Sequence, residues 1–278
     1  MAVVNSNLNA LVSQHAMAVN NRATTNAIQQ LSTGRRINSS ADDAASLAIS
    51  NKLGSRIISL DMAVRNANDG ISMLETADGA AAGLSDVLFR MRDLSVQAGN
   101  DTNSSDDRDA MQTEVAALQS QLGNILNNSE WNGMKVLKGE AGNSGTVAFQ
   151  VGASSSDAFT LSMSSLDTGS LASAQTSGSV DVSSQSGAAA AIEVIDSALT
   201  EIDQARTEWG ATANRLMHAA NNSANVSLNS QASRSTLVDT DYAKTTAELA
   251  RAMILEEAGA AMLTQANQQP AYVLALLR

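Results

Sequence analysis

The sequence predicts a mainly α protein: a long antiparallel coiled-coil-like helical bundle with a small β-hairpin region and with its N- and C-terminal helices paired. Three observations carry this. Apolar residues step by threes and fours over runs far longer than a globular helix needs. The only proline is Pro270, so no ring interrupts a helix before it. Aromatics make up 3% of the chain against 44% hydrophobic residues in all. The core must therefore be filled by Ala, Leu, Ile, Val and Met.

The first helix begins with the stripe Val4, Leu8 and Leu11 and closes with Ile28 and Leu31, before Ser32-Thr33-Gly34. The second is predicted over 42–98. Ser40 can cap it, with Asp43 returning a bond as in a capping box. Its seam runs Leu53, Ile57, Leu60, Val64, Ala67, Ile71 and Leu74. After one short step it resumes as Ala77, Ala81, Leu84, Leu88, Met91, Ser95 and Ala98. At 1.5 Å per residue this helix would be about 86 Å long. A third helix carries Met111, Val115, Leu118, Leu122 and Ile125, after Ser104, Ser105, Asp106 and Asp107 as cap and acidic first turn.

Asn132-Gly133 then reads as a tight turn. Val147, Phe149 and Val151 alternate with smaller or polar residues, as do Phe159, Leu161 and Met163, so these runs predict a hairpin with one buried face. The Ser/Gly-rich stretch 166–187 reads as a linker or short exposed tip. A fourth helical seam follows: Ile192, Ile195, Leu199, Ile202, Arg206, Trp209, Ala213 and Leu216, broken only by Arg206. Matching seams far apart in sequence predict one antiparallel bundle. The expected domains are 1–40 with 236–278, a terminal helical domain, and 41–165 with 188–235, a bundle with the hairpin.

Near the C-terminus Leu249, Met253, Ala260 and Leu263 form one stripe, while Ile254, Leu255, Ala258, Ala261 and Met262 cover other faces. A helix apolar on several faces must be buried. Sticky ends beside a self-sufficient bundle predict burial in an assembly. The residues expected to make it are Leu8, Leu11, Leu31, Leu249, Met253, Leu263, Leu274 and Leu277.

Composition removes most other functions. There is no cysteine, so no disulfide scaffold, thiol nucleophile or Cys-ligated zinc. Two histidines, His15 and His218, exclude a multi-His metal site. The net charge is −11, with no basic residue between Lys138 and Arg206, which argues against nucleic acid. Neither a cleaved signal nor a membrane span of about 18 apolar residues is expected. Asp42-Asp43 suits helix capping better than a catalytic carboxylate pair. No catalytic, cofactor-binding or metal residue is predicted.

The termini carry sequence signatures. Leu31-Ser32-Thr33-Gly34, Arg36-Ile37-Asn38-Ser39, Asp42-Asp43-Ala44-Ala45 and Leu47-Ala48-Ile49 resemble the N-terminal signature of bacterial flagellin. Asp241-Tyr242-Ala243, Ala258-Gly259, Ala261-Met262-Leu263, Gln265-Ala266-Asn267-Gln268 and Val273-Leu274-Ala275-Leu276-Leu277 resemble its C-terminal one. Arg35 and Ser46 depart from the usual apolar residue and glycine. The resemblance covers roughly 1–165 and 188–278 and is to a minimal form without large outer domains.

The resemblance implies a structural subunit, not an enzyme, that self-assembles into the helical flagellar filament used for swimming. It implies export without a cleaved signal to an extracellular filament. The implied partners are further copies of the chain, an export chaperone at the C-terminal helix, and hook-associated junction and cap proteins. It also implies contact with the vertebrate Toll-like receptor for flagellin through Leu88, Arg90, Leu94 and Glu114. A hook–filament junction protein would share the terminal signatures, and a helical signalling bundle would share the heptads but not the apolar ends.

Overall fold

A computed structural model describes residues 6–275 apart from Ser144, Ser164 and Ser177, with side chains as far as Gln268. In chain order it comprises α1 (Leu8–Thr33), α2 (Ala44–Ala98), α3 (Ser105–Asn128), β1 (Glu130–Trp131), β2 (Met134–Lys135), β3 (Thr146–Gln150), β4 (Ala158–Ser162), α4 (Ser170–Gln175), α5 (Gln185–Val238) and α6 (Tyr242–Ala275). Two compact units result, Met1–Ser55 with Asn229–Arg278 and Arg56–Leu228. The division falls inside α2 and α5, not at 40/41 and 235/236 as expected from sequence.

The start of α2 differs from the prediction. Asp43, not Ser40, is the capping side chain. Its carboxylate accepts from the Ala45 and Ser46 amides, both at 3.0 Å, and from the Ser46 hydroxyl at 2.6 Å. Asp42 accepts instead from the Asn38 and Ser39 amides in the preceding turn. These hydrogen bonds hold both carboxyls below their usual range, the opposite of a pair sharing a proton. The α3 cap is the full reciprocal box, with Ser104 and Asp107 each bonding the other's main chain.

In the second unit the C-terminal half of the predicted α2 seam is buried throughout, from Ala77 to Ala98. It forms one hydrophobic cluster with α3, the hairpins and α5. In its N-terminal half Val64 and Ile71 are only half-buried, and Ala63 and Gly70 lie inside instead. Gly70 is needed there. A Cβ on it would stand 3.0 Å from Leu216 and 3.4 Å from the Phe149 ring.

On α5 the seam is rotated from its predicted line. Ala188, Ala191, Ile195, Ala198, Ile202, Ala205 and Trp209 are buried, while Ile192, Leu199 and Ala213 are half-buried. Four of these seven buried positions are alanines, Ala188, Ala191, Ala198 and Ala205. Arg206 breaks the predicted line because it belongs at the rim, where its Nε bonds Asp78 at 2.7 Å. Arg92 makes the same kind of bond to Asp196 at 2.7 Å. These pairs link low α2 numbers to high α5 numbers, so the two helices are antiparallel.

Asn132-Gly133 forms the predicted two-residue turn between β1 and β2, both residues having positive φ, 49° and 78°. β3 and β4 pair with Val147 opposite Leu161 and Phe149 opposite Phe159, which places four of the six predicted apolar residues on one face.

Segment 166–187 is not an exposed tip. Leu166, Leu171, Ala174, Val180 and Val182 are buried. Gln119 donates to the Ala174 and Thr176 carbonyls, and Gln112 accepts from the Val182 amide. Five apolar side chains spaced among Ser and Gly are enough to dock a chain whose main-chain groups are satisfied by glutamines on α3.

Two outcomes follow for stability. Ile195→Ala should cost about 2–5 kcal/mol in denaturant unfolding, and Leu199→Ala clearly less, since part of its side chain already meets water. The Asp196 carboxyl is held below its usual range, chiefly by the hydrogen bond from Arg92. Its contribution is complete above the unfolded carboxylate value of about 3.9 and is lost as pH falls through the lower folded value. Arg92→Ala should therefore flatten the acid limb of a melting-temperature profile, with the neutral plateau lowered.

Candidate assembly surface

In the first unit α1 and α6 lie antiparallel. Asn7 Nδ2 donates to the Ala266 carbonyl at 2.8 Å, Asn20 Nδ2 to that of Ala252 at 2.7 Å, and Tyr242 to that of Leu31 at 3.4 Å. Gly34, at φ 68°, ends α1 in the left-handed conformation. Beyond it Arg36 N–H donates to Val238 and Thr240 N–H to Gly34, closing the base of the pair.

Along α1 the line Ala10, Ser13, Met17, Asn20, Thr24, Ala27 and Leu31, stepping by three and four, is buried or half-buried, with Gln30 half-buried beside it. On α6 they are Thr245, Leu249, Ala252, Glu256, Gly259, Leu263 and Ala266, with the same rhythm. Both lines are heptad seams built mainly from small and polar residues. Met17, Leu31, Leu249 and Leu263 are the large apolar members of these seams, and most other large apolar side chains point elsewhere. Leu8, Leu11, Val12 and Ile28 on α1, and Met253, Ile254, Leu255 and Met262 on α6, are each more than half exposed.

Of the expected assembly residues, Leu8, Leu11 and Met253 thus face outward. Leu31, Leu249 and Leu263 sit in the seam within the chain. The Leu274 side chain and Leu277 lie outside the described residues, as does Val4. This seam is not legible from hydrophobic pattern, because alanine, serine, asparagine and threonine carry almost no hydrophobic signal. The three–four spacing of small residues is the cue that would have found it.

The second unit offers a smaller surface. Arg90 Nη2 lies 2.6 Å from Glu114 Oε1, both side chains exposed. Phe89 beside them is exposed too. Leu88 and Leu94, expected to share this contact, are buried core residues. One seam explains both: Leu88 and Leu94 point inward on α2, while Arg90 crosses outside to α3. Arg90 and Arg92, two residues apart, grip different helices, α3 and α5.

Among the described residues no group of three His, Asp or Glu side chains is arranged to hold a metal ion, and no helix is long and apolar enough to cross a membrane.

Residues 4–141 match the bacterial flagellin N-terminal helical region, and 192–277 match the bacterial flagellin C-terminal helical region. The chain belongs to the bacterial flagellin family. It is 39% identical to a flagellin of Halalkalibacterium halodurans over 276 residues, covering 99% of this chain and 100% of that one. It is 36% identical to flagellin of Bacillus subtilis over 303 aligned positions, covering 99% of each. The crystal structure of Bacillus cereus flagellin is similar with a TM-score of 0.50 and 31% identity, over 57% of this chain and 88% of that one.

As a flagellin the chain is a structural subunit of the flagellar filament, an extracellular polymer, and not an enzyme. Self-assembly and a role in motility follow from the family. Against flagellin E of Vibrio cholerae the alignment runs to 376 positions, longer than this chain, which is the short form.

Proposed function

We propose that the outward apolar face of the α1–α6 pair is the surface through which subunits polymerise. The observation that carries this is the sorting of side chains: mostly small and polar residues line the inside of the pair, and eight large apolar ones are more than half exposed outside it. Exposed apolar surface of this kind marks an interaction site. Leu8, Leu11 and Met253 act there in contacts with other copies, and Leu274 and Leu277 extend the same role. Leu31, Leu249 and Leu263 support it from the seam. A repeated contact that does not close on itself generates a helical fibre.

The same apolar ends need shielding before assembly. An export chaperone on the C-terminal helix, passage outward without a cleaved signal, and junction and cap proteins at the filament's two ends are the partners and route this surface fits. Leu11→Asp with Met253→Asp should abolish pelleting of polymer while leaving the circular dichroism of the soluble chain unchanged. Removal of 1–30 and 241–278 should leave a soluble, helical monomer that forms no polymer. Filaments formed by either variant would refute the assignment.

For the Toll-like receptor the reading rests on Arg90 and Glu114, exposed and already paired, so little side-chain ordering is left to binding. Leu88 and Leu94 act only by holding α2 in place. Arg90→Ala should lower the potency of the soluble chain in a receptor reporter assay without changing its melting temperature. Unchanged potency would reject this contact.

A further inference from the structure

We infer that Asn7 and Asn20 set the register of α1 against α6. The seam holds Met17, Leu31, Leu249 and Leu263 among small and polar residues, so side-chain volume sets part of the alignment against a slide of one heptad, about 10.5 Å along the axis, and directional polar contacts supply the rest. The surface outside the pair depends on register. Val12 lines one groove with Met262, and Ala23 another with Leu255. A slip would break up the apolar face that the two helices build jointly.

The asparagines are placed to prevent this. Each reaches across to a main-chain carbonyl opposite an alanine, Asn7 to Ala266 and Asn20 to Ala252. A single methyl leaves that carbonyl open to approach. Slide α6 by a heptad one way and Asn20 meets Thr245, while Asn7 meets Gly259. Slide it the other way and Asn7 meets Val273, while Asn20 meets Gly259. Each slip thus sets one asparagine against a β-branched residue that obstructs the path to its carbonyl, stranding a part-buried amide. A polar residue in a seam commonly specifies register in this manner, at some cost in stability. Between the two amides the native register is marked by Met17 over Gly259, where a Cβ would stand 3.1 Å from Met17 Cγ.

The chain has no cysteine, so engineered pairs report pairing without interference. In the full-length chain, soluble and pelleted, M17C/G259C reports the native register. M17C/A252C and M17C/A266C report the two slips. With both asparagines present, intramolecular oxidation should favour the native pair by about tenfold, the scale of one net hydrogen bond. N20L alone should raise the M17C/A252C yield and leave M17C/A266C low. N7L alone should do the reverse. A purely structural role would lower all yields together and show no direction.

Equal yields from native and slipped pairs in the parent, no native crosslink at all, or an unchanged preference in both leucine variants would each overturn the inference. Where N20L or N7L loses helicity by circular dichroism, N20A or N7A carries the same directional comparison.

Discussion

Every part of this molecule depends on helices meeting along heptad seams, and the contents of the seam decide what each helix can still offer to others. Where leucines, methionines and isoleucines fill the seam, as on α2 from Leu84 to Met91, the apolar surface is consumed within the chain. The outer face is then left to ion pairs such as Arg92–Asp196 and Arg206–Asp78. Where small and polar residues fill most of it, as between α1 and α6, the helices still pair, but most large apolar side chains remain outside. The first arrangement makes a self-sufficient core; the second leaves a surface that is satisfied only by other molecules.

The two arrangements also differ in how alignment is secured. In the bundle, volume matching does much of the work: Gly70 leaves space for Leu216 and Phe149, and the hairpin register puts Phe149 opposite Phe159. A small-residue seam has little volume to match. Directional hydrogen bonds from Asn7 and Asn20 and the methionine over Gly259 take over that task. The rim ion pairs of the bundle are exposed and individually weak, so they tune alignment while burial supplies the stability.

The short middle of the chain follows the same economy. Segment 166–187 covers the end of the core with Leu171, Val180 and Val182, and glutamines of α3 satisfy its main chain. A family member with no large outer domain thereby closes its bundle with about two turns of helix and a docked loop.

Sequence alone was sufficient for the mainly α class, the Asn132-Gly133 turn, the β3–β4 hairpin, the α3 cap and the buried line from Ala77 to Ala98. In each of these the signal is local: a dipeptide needing positive φ, an alternation, or a strong three–four period of large apolar residues. The flagellin signatures at the two ends were equally legible. The tertiary structure decided what depends on a partner element. It chose Asp43 over Ser40 as the cap, because the capping side chain is set by where the chain turns from Asn38 to Asp42. It rotated the α5 seam toward Ala188, Ala191, Ala198 and Ala205, because which side of a helix is buried depends on the elements packed against it. It buried Leu88 and Leu94, and it turned Leu8 and Met253 outward while Leu249 went in. A helix's period states that a face exists, whereas which face is spent inside the chain is settled only when the opposing helix arrives.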